Sequence, residues 1–303
     1  MNMQIDKRAG NLCFNEELHK YWNEETNTPY ISVTTLIESY GQPFDKDFWS
    51  AYKALEKLMD SDVWKLEKKN LLSTKKFNKD FLELYGISES EFNREQQNIL
   101  DEWEQKNREA CERGTKIHAK LEEAVLGRKK EFSLNKFGIG GKFICKGKDY
   151  HELNLEAGAY PEYMIGREIE PGLFGLSGQI DLLLKKGNKI IIGDYKTNAE
   201  IKTKSYFDNK TKTSQKMLYP LNTLDDVNYW HYNLQLSTYA WMVQQYHPEF
   251  EVEDLVLIHF RPDGKQDIYH MDYLKAEVEK MINHYKKKLQ HEKQLAKYQR
   301  IEY

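Results

Sequence analysis

Two carboxylates and an ammonium stand at the ends of two apolar runs in SGQIDLLLKKGNKIIIGDYKTN, residues 177–198. The runs cover 180–184 and 189–192, and Lys185-Lys186-Gly187-Asn188 separates them, the pattern of two buried strands joined by a hairpin turn. Asp181 opens the first strand, and Asp194 and Lys196 close the second. Side chains alternate along a strand, so Asp194 and Lys196 share one face and Tyr195 takes the other. Pairing across the turn brings Asp181 and Asp194 to the open end of the hairpin, where buried charges without partners are costly. Two carboxylates in one place call for a cation, and hard oxygen ligands suit Mg²⁺ or Mn²⁺. A lysine beside them completes a set suited to phosphodiester hydrolysis: the metal lowers the pKa of a bound water, and positive charge meets the charge building on phosphate. Taken alone, the spacing also fits a surface Asp–Lys pair beside an unrelated aspartate.

The elements that must hold these groups follow from patterning. Residues 11–41 read as a short hairpin with a helix beginning near residues 32–35, and 45–127 as mainly helical. The second half of that region can hold one long helix or two, starting with a capping box at Ser88 or Ser90 and stopping at Gly127. It carries no sustained heptad, which argues against a coiled coil. FGIGGKFICKGKDY, residues 137–150, reads as a loop or irregular hairpin, and strands are predicted at 163–169, 176–184 and 189–195. A polar loop at 197–226 precedes an amphipathic helix at 227–247, two strands and a charged helix from 273. Helix, three strands, helix, two strands and helix make a mixed α/β layer arrangement. The division expected is 1–110, a hairpin and helical region packed on the core, and 111–303, the core itself.

Two helices add chemistry. RGTKIHAKLE, residues 113–122, carries His118, with Glu122 one turn on and Gly114 allowing close backbone approach. YNLQLSTYAWM, residues 232–242, carries Gln235 and Tyr239 one turn apart. The four segments together resemble the PD-(D/E)XK nuclease superfamily, and its RecB-like branch in particular. Asp194-Tyr195-Lys196 matches the D/E-x-K element, Gly178 and Asp181 the G-x-x-D element, Gly114-Thr115 with His118 the G-T-x-x-H helix, and Gln235 with Tyr239 the Q-x-x-x-Y helix. ISVTTLIESYGQPFD, residues 31–45, resembles the N-termini of phage-encoded members.

The resemblance implies a restriction-endonuclease-like core, a mixed central sheet flanked by helices, with an N-terminal hairpin and helical subdomain. It implies one or two divalent metals, Mg²⁺ or Mn²⁺, held by Asp181, Asp194, His118 and the backbone carbonyl of Tyr195, with Lys196 orienting the attacking water or stabilising the transition state. Gln235 and Tyr239 would contact the nucleic acid or support the lysine. Glu168, on the strand before Asp181, is the acid expected to back the site, with Glu162 and Glu170 competing for that place. The activity implied is a metal-dependent deoxyribonuclease, and the branch suggests an exonuclease of phage or mobile-element recombination. The alternatives are a structure-selective endonuclease or junction resolvase, or a nucleic-acid-binding protein on a nuclease fold.

The polar loop supplies a candidate backbone clamp: Lys202, Lys204, Lys210, Lys212 and Lys216 outnumber Glu200 and Asp208. Lys202 and Lys204 are the expected nucleic-acid contacts. GKFICKGK, residues 141–148, is a second basic candidate. Tyr206, Phe207, Tyr229, Trp230 and Tyr232 are able either to stack on unpaired bases or to fill the core. Composition sets limits. The net charge of −3 over 303 residues means that a polyanionic partner, DNA single- or double-stranded, must meet local patches rather than a global field. A recombination or single-strand-annealing partner is compatible with that reading, and the oligomeric state stays open. Three scattered cysteines, Cys13, Cys111 and Cys145, argue against an iron–sulfur cluster, and no Walker A motif points to a bound nucleotide. The polar N-terminus and the lack of a long apolar run suggest a cytoplasmic protein without a membrane span.

Overall fold

The structure is a computed structural model that describes residues 6–8, 12–15, 20–75, 77–128, 130–147, 154–208 and 213–299. Four short strands begin it: β1 (Asp6–Arg8), β2 (Leu12–Asn15), β3 (Lys20–Asn23) and β4 (Pro29–Ser32). Ser32 then caps α1 (Val33–Glu38), its side chain accepting from Thr35 N at 3.1 Å, as its place before an apolar turn predicts. The helices α2 (Lys46–Leu58), α3 (Ser61–Thr74) and α4 (Lys79–Leu84) follow, each capped by Asp45, Asp60 or Asn78. The question of one helix or two resolves as one, α5 (Glu89–Leu126), with Ser88 Oγ accepting from Glu91 N at 3.2 Å.

The glycine-rich segment is a small ladder of β5 (Phe132–Leu134) and β6 (Ile139–Phe143). The central strands run longer than their apolar cores suggest: β7 (Gly158–Glu170), β8 (Phe174–Lys186) and β9 (Lys189–Lys196). Within the expected polar loop lies a two-strand ribbon, β10 (Phe207–Asp208) and β11 (Thr213–Ser214). The chain ends on α6 (Asn228–Tyr246), β12 (Glu251–Phe260), β13 (Gln266–Met271) and α7 (Lys275–Gln299).

The chain divides into two compact units, Met1–Gln42 with Gly114–Tyr303 as one and Pro43–Arg113 as the other. The expected boundary at 110 joins the first strands to the helical region; they belong instead with the sheet, because β4 pairs with β8. The helical unit has its own apolar core, in which Phe48, Leu55, Trp64, Leu71, Phe92 and Ile99 are buried. No helix among the described residues is long and apolar enough to cross a membrane.

In the larger unit the sheet is mixed. β4 runs parallel to β8 and β12 parallel to β9, while the β7–β8, β8–β9 and β12–β13 pairs are antiparallel. β8 pairs with β7 along one edge from Gly158↔Lys185 to Glu170↔Phe174. Its other edge is divided: β4 takes residues 175–177 and β9 takes 182–186. Residues 178–181, which begin with Gly178 and end with Asp181, lie in the gap between those two partners. Apolar side chains cover both faces. Leu183, Ile190, Ile192, Leu255 and Leu257 pack with Val33 and Leu36 of α1, Leu236 and Ala240 of α6 and Met281 of α7. Leu182, Leu184, Ile191, Val256 and Ile258 pack with Val125 of α5 and Phe132, Ile139 and Phe143 of the small ladder.

Leu183 is fully buried in this layer, so Leu183→Ala removes apolar contact and leaves a cavity. The expected cost is about 2–5 kcal/mol, read as a lower urea midpoint at unchanged slope. A loss under about 1 kcal/mol would contradict the packing described.

Candidate active site

The site forms where β9 parts from β8. The last β8–β9 pair is Leu182↔Gly193, and beyond it Tyr195 has no ladder partner on β8. Its amide is completed by side chains instead. Tyr195 N donates to Asp181 Oδ2 at 2.7 Å, and Tyr195 O lies 2.9 Å from His118 Nε2, a hydrogen bond when that nitrogen carries the proton. In that tautomer His118 Nδ1 presents its lone pair 3.5 Å from the same Asp181 oxygen. Two acceptors at that distance repel unless a proton or a cation lies between them. The His118 ring also meets the Tyr195 ring edge-on, with centroids 5.8 Å apart.

Asp194 and Lys196 point to the other face of β9, as strand alternation requires. Lys196 Nζ is 2.6 Å from the buried Asp194 Oδ2, an ion pair. Two buried carboxylates whose charges act on each other, with a histidine and a second acid close to one of them, are what a divalent cation would satisfy, so the donor set fits one. Gln235 Nε2 donates to the other oxygen, Asp194 Oδ1, at 3.1 Å, and to Tyr239 Oη at 3.3 Å. Gln235 and Tyr239 are only 7% and 4% exposed. α6 packs them against the sheet, where Gln235 holds Asp194 and Tyr239 accepts from Gln235, the supporting one of the two places expected for them. Tyr239 reaches this position because residue 178 is glycine. A Cβ there would stand 3.1 Å from Tyr239 Cζ and closer still to Cε1.

Electrostatics follow from this crowding. Burial, and then the Asp194 charge, pushes the Asp181 carboxyl well above its usual range, against the opposing pull of Lys196 and the Tyr195 N–H. Burial acts to lower Lys196, but Asp194 and Asp181 outweigh it and hold the ammonium above its ordinary value. Burial lowers His118, although Asp194 opposes it, so its imidazole is neutral and able to ligate at neutral pH.

The acid beside the site is Glu162, not Glu168. One ligand atom from each of His118, Glu162 and Asp181 lies within 4.8 Å of the others. Pro161 pairs with Leu182 and Tyr163 with Ile180, so Glu162 stands opposite Asp181, with a left-handed φ of 52°. Glu168 pairs with Gly175 and accepts from Thr26 Oγ1 at 2.5 Å. Six residues along a strand from Glu162, it is about 20 Å away. Glu170 is also removed from the site, in an ion pair with Lys286 at 2.5 Å.

Tyr232, read in the sequence as either a stacking or a core residue, and two residues that the sequence did not single out, Asn198 and His259, surround the lysine. The Tyr232 ring lies 4.9 Å from Lys196 Nζ, and its hydroxyl donates to Asn198 Oδ1 at 2.7 Å. His259 of β12, 1% exposed and paired with Lys196, has Nε2 2.8 Å from Asn198 O. The chain just past the lysine is thus held from both sides; a buried histidine in an apolar strand gives no sequence signal of that role. Lys202 and Lys204 are exposed, Lys202 lying 3.2 Å from Glu200. Lys216 pairs with Asp225 at 2.6 Å. Lys210, Lys212 and Lys148 lie outside the described residues.

A mixed sheet flanked by helices, with acidic groups and a lysine at the ends of adjoining strands, has the architecture of restriction-endonuclease-like nucleases. Residues 82–302 match the PD-(D/E)XK nuclease superfamily, and the chain belongs to it. It is accordingly a nuclease, a hydrolase of nucleic acid in a superfamily that uses divalent metals. Among solved structures it is similar to SSO0001, with 17% identity, 84% of this chain and 73% of that one covered, and a TM-score of 0.32. It is similar also to a Eubacterium rectale protein named "Putative exonuclease", with 13% identity, 86% and 79% covered, and a TM-score of 0.33. No curated protein matches the sequence.

Two outcomes follow from the geometry. The folded pKa of Asp181 is raised, so its contribution to stability is present below the unfolded value near 3.9 and is lost as pH rises through the folded one. In EDTA at pH 7–8, Asp181→Asn should therefore melt higher than the parent by roughly 2–4 °C, the scale of about 1 kcal/mol, with the gap closing near pH 4. A variant that melts lower at pH 7–8 would contradict the repulsion argued here. Gly178→Ala should force Tyr239 out of place and cost about 1–3 kcal/mol in urea unfolding. Adding Tyr239→Ala should recover part of that loss, and fully additive costs would show that the two residues do not meet.

Proposed function

We propose that the chain is a Mg²⁺- or Mn²⁺-dependent deoxyribonuclease of the RecB-like branch, acting as an exonuclease in phage or mobile-element DNA recombination. The observation that carries the metal-dependent reading is the convergence at the end of β9: His118, Glu162 and Asp181 within reach of one cation, beside the buried Asp194–Lys196 pair. Bound there, a divalent cation supplies Lewis-acid activation of water and neutralises charge on the phosphate. Asp181 and Asp194 hold it, and His118 and Glu162 complete its surroundings. The Tyr195 carbonyl, now beside His118 Nε2, keeps a second lone pair for the same purpose. Gln235 fixes Asp194 by one oxygen; the other, now paired with Lys196, is the one that would reach the cation. Lys196, kept protonated by its carboxylate neighbours and covered by Tyr232, presents a fixed positive charge to the oxyanion that develops in the transition state. Lys202 and Lys204 offer exposed charge for the phosphate backbone.

The exonuclease reading is supported by the G-T-x-x-H and Q-x-x-x-Y helices with their histidine and glutamine at this site. End-labelled linear duplex, linear single strands and covalently closed circles, incubated with Mg²⁺, Mn²⁺ or EDTA, test it in one experiment. Mononucleotides should appear from linear DNA at the earliest times with a divalent metal only, while circles stay intact. Early nicking of circles would make the enzyme an endonuclease, and inertness with both metals would end the proposal. Asp194→Asn and Lys196→Ala should each reduce the rate by about 10²-fold or more while far-UV dichroism is unchanged.

A further inference from the structure

Between β9 and α6 the chain forms a ribbon whose base is fastened and whose aromatic side chains are not. Asp225 fastens it, accepting from Ser205 N at 3.2 Å, Ser214 Oγ at 3.1 Å and Lys216 Nζ at 2.6 Å. The bond to Lys216 holds the Asp225 carboxyl below its usual range. Gln215 N donates to Tyr206 O at 3.3 Å, which closes the ladder below β10 and β11.

The upstream end is tied to α6. Lys202 N donates to Asn228 Oδ1 and Asn228 Nδ2 to Glu200 O, both at 2.8 Å, and Tyr229 N donates to Lys202 O at 3.3 Å. Asn228 and Tyr232 are one turn apart on α6, about 6 Å along its axis. Since Tyr232 lies against Lys196, the segment at residues 200–202 that leads into the ribbon stands beside the lysine end of the site.

On this anchored ribbon Tyr206 is 78% exposed and Phe207 50% exposed. Tyr206 immediately precedes β10 and Phe207 opens it, so the two exposed rings are neighbours at the start of the ribbon. Lys202 and Lys204 are exposed in the segment that leads to it. A ring held in water next to backbone-binding cations matches one partner chemistry well: a nucleic-acid strand whose bases are unpaired. Stacking needs a free base face, which a duplex interior does not offer, and every base has one.

We propose that Tyr206 and Phe207 form a stacking platform for unpaired bases of the strand delivered to the site, which selects single-stranded or frayed ends. The platform rests on the nuclease reading and adds to it a substrate preference. It is tested by fluorescence anisotropy with the full chain in EDTA, where hydrolysis is off. The probes are a labelled single strand and an abasic strand of the same length and charge. Tyr206→Ala and Phe207→Ala should each weaken binding of the base-bearing strand by about 5- to 100-fold and leave the abasic strand unchanged, while Tyr206→Trp should keep parental affinity. Unchanged affinity of both alanine variants for the base-bearing strand overturns the platform alone, as does an equal loss on both strands, the pattern of a fold defect or a surface meant for a protein. Failure of the parent chain to bind the base-bearing strand also overturns the platform, whereas the nuclease reading fails separately, by inertness of the parent with both metals in the cleavage assay.

Discussion

The backbone amide of Tyr195 is the point on which the site depends. Wherever a strand leaves its neighbour inside a protein, the N–H and C=O released from the ladder must find other partners. Here the N–H goes to Asp181 and the C=O to His118, side chains from β8 and α5 that the sequence separates by 63 positions. Completing the backbone and assembling the acidic cluster are therefore the same contacts. The gap at residues 178–181 of β8, between its β4 partner and its β9 partner, makes room for both.

Burying Asp194 beside Lys196 is unfavourable unless the remaining lone pairs and protons are met. The protein meets them with a single helix. Asn228, Tyr232, Gln235 and Tyr239 are spaced four, three and four residues apart, so they form one stripe on α6. From one end of that stripe to the other they tie the ribbon base, cover the lysine, orient the carboxylate and lie across Gly178. Asn198, gripped by Tyr232 and His259, fixes where the chain goes after the lysine. His118 Nδ1 and Asp181 Oδ2, 3.5 Å apart with Glu162 beside them, are the atoms that a cation would draw together.

Unlike the four N-terminal strands and the β10–β11 ribbon, the order of the main helices and strands from β7 onward, the β8–β9 hairpin, and the sharing of a face by Asp194 and Lys196 were legible in the sequence. Each is set by a short repeat: alternation every two residues, an apolar stripe at helical spacing, a turn rich in lysine and glycine, a serine before a helix. Gly178, Asp181, His118, Gln235 and Tyr239 were legible as members of one constellation because their spacing resembles that of a family. Their contacts were not. Gln235 and Tyr239 read equally well as surface contacts or as supports, and packing against Gly178 turned them inward.

Glu162, Glu168 and Glu170 show where local information ends. All three have the same parity on β7, so alternation cannot choose between them; the register against β8 does, setting Glu162 opposite Asp181 and Glu168 opposite Gly175. Likewise nothing around residue 259 marks its histidine, and only the parallel pairing of β12 with β9 brings it to Lys196. The sequence by itself determined which residue types were available and which face of its own element each would take, since those depend on neighbours a few positions away. The tertiary structure decided which of them meet, because register and helix docking are fixed by burial summed over whole elements far apart in the chain.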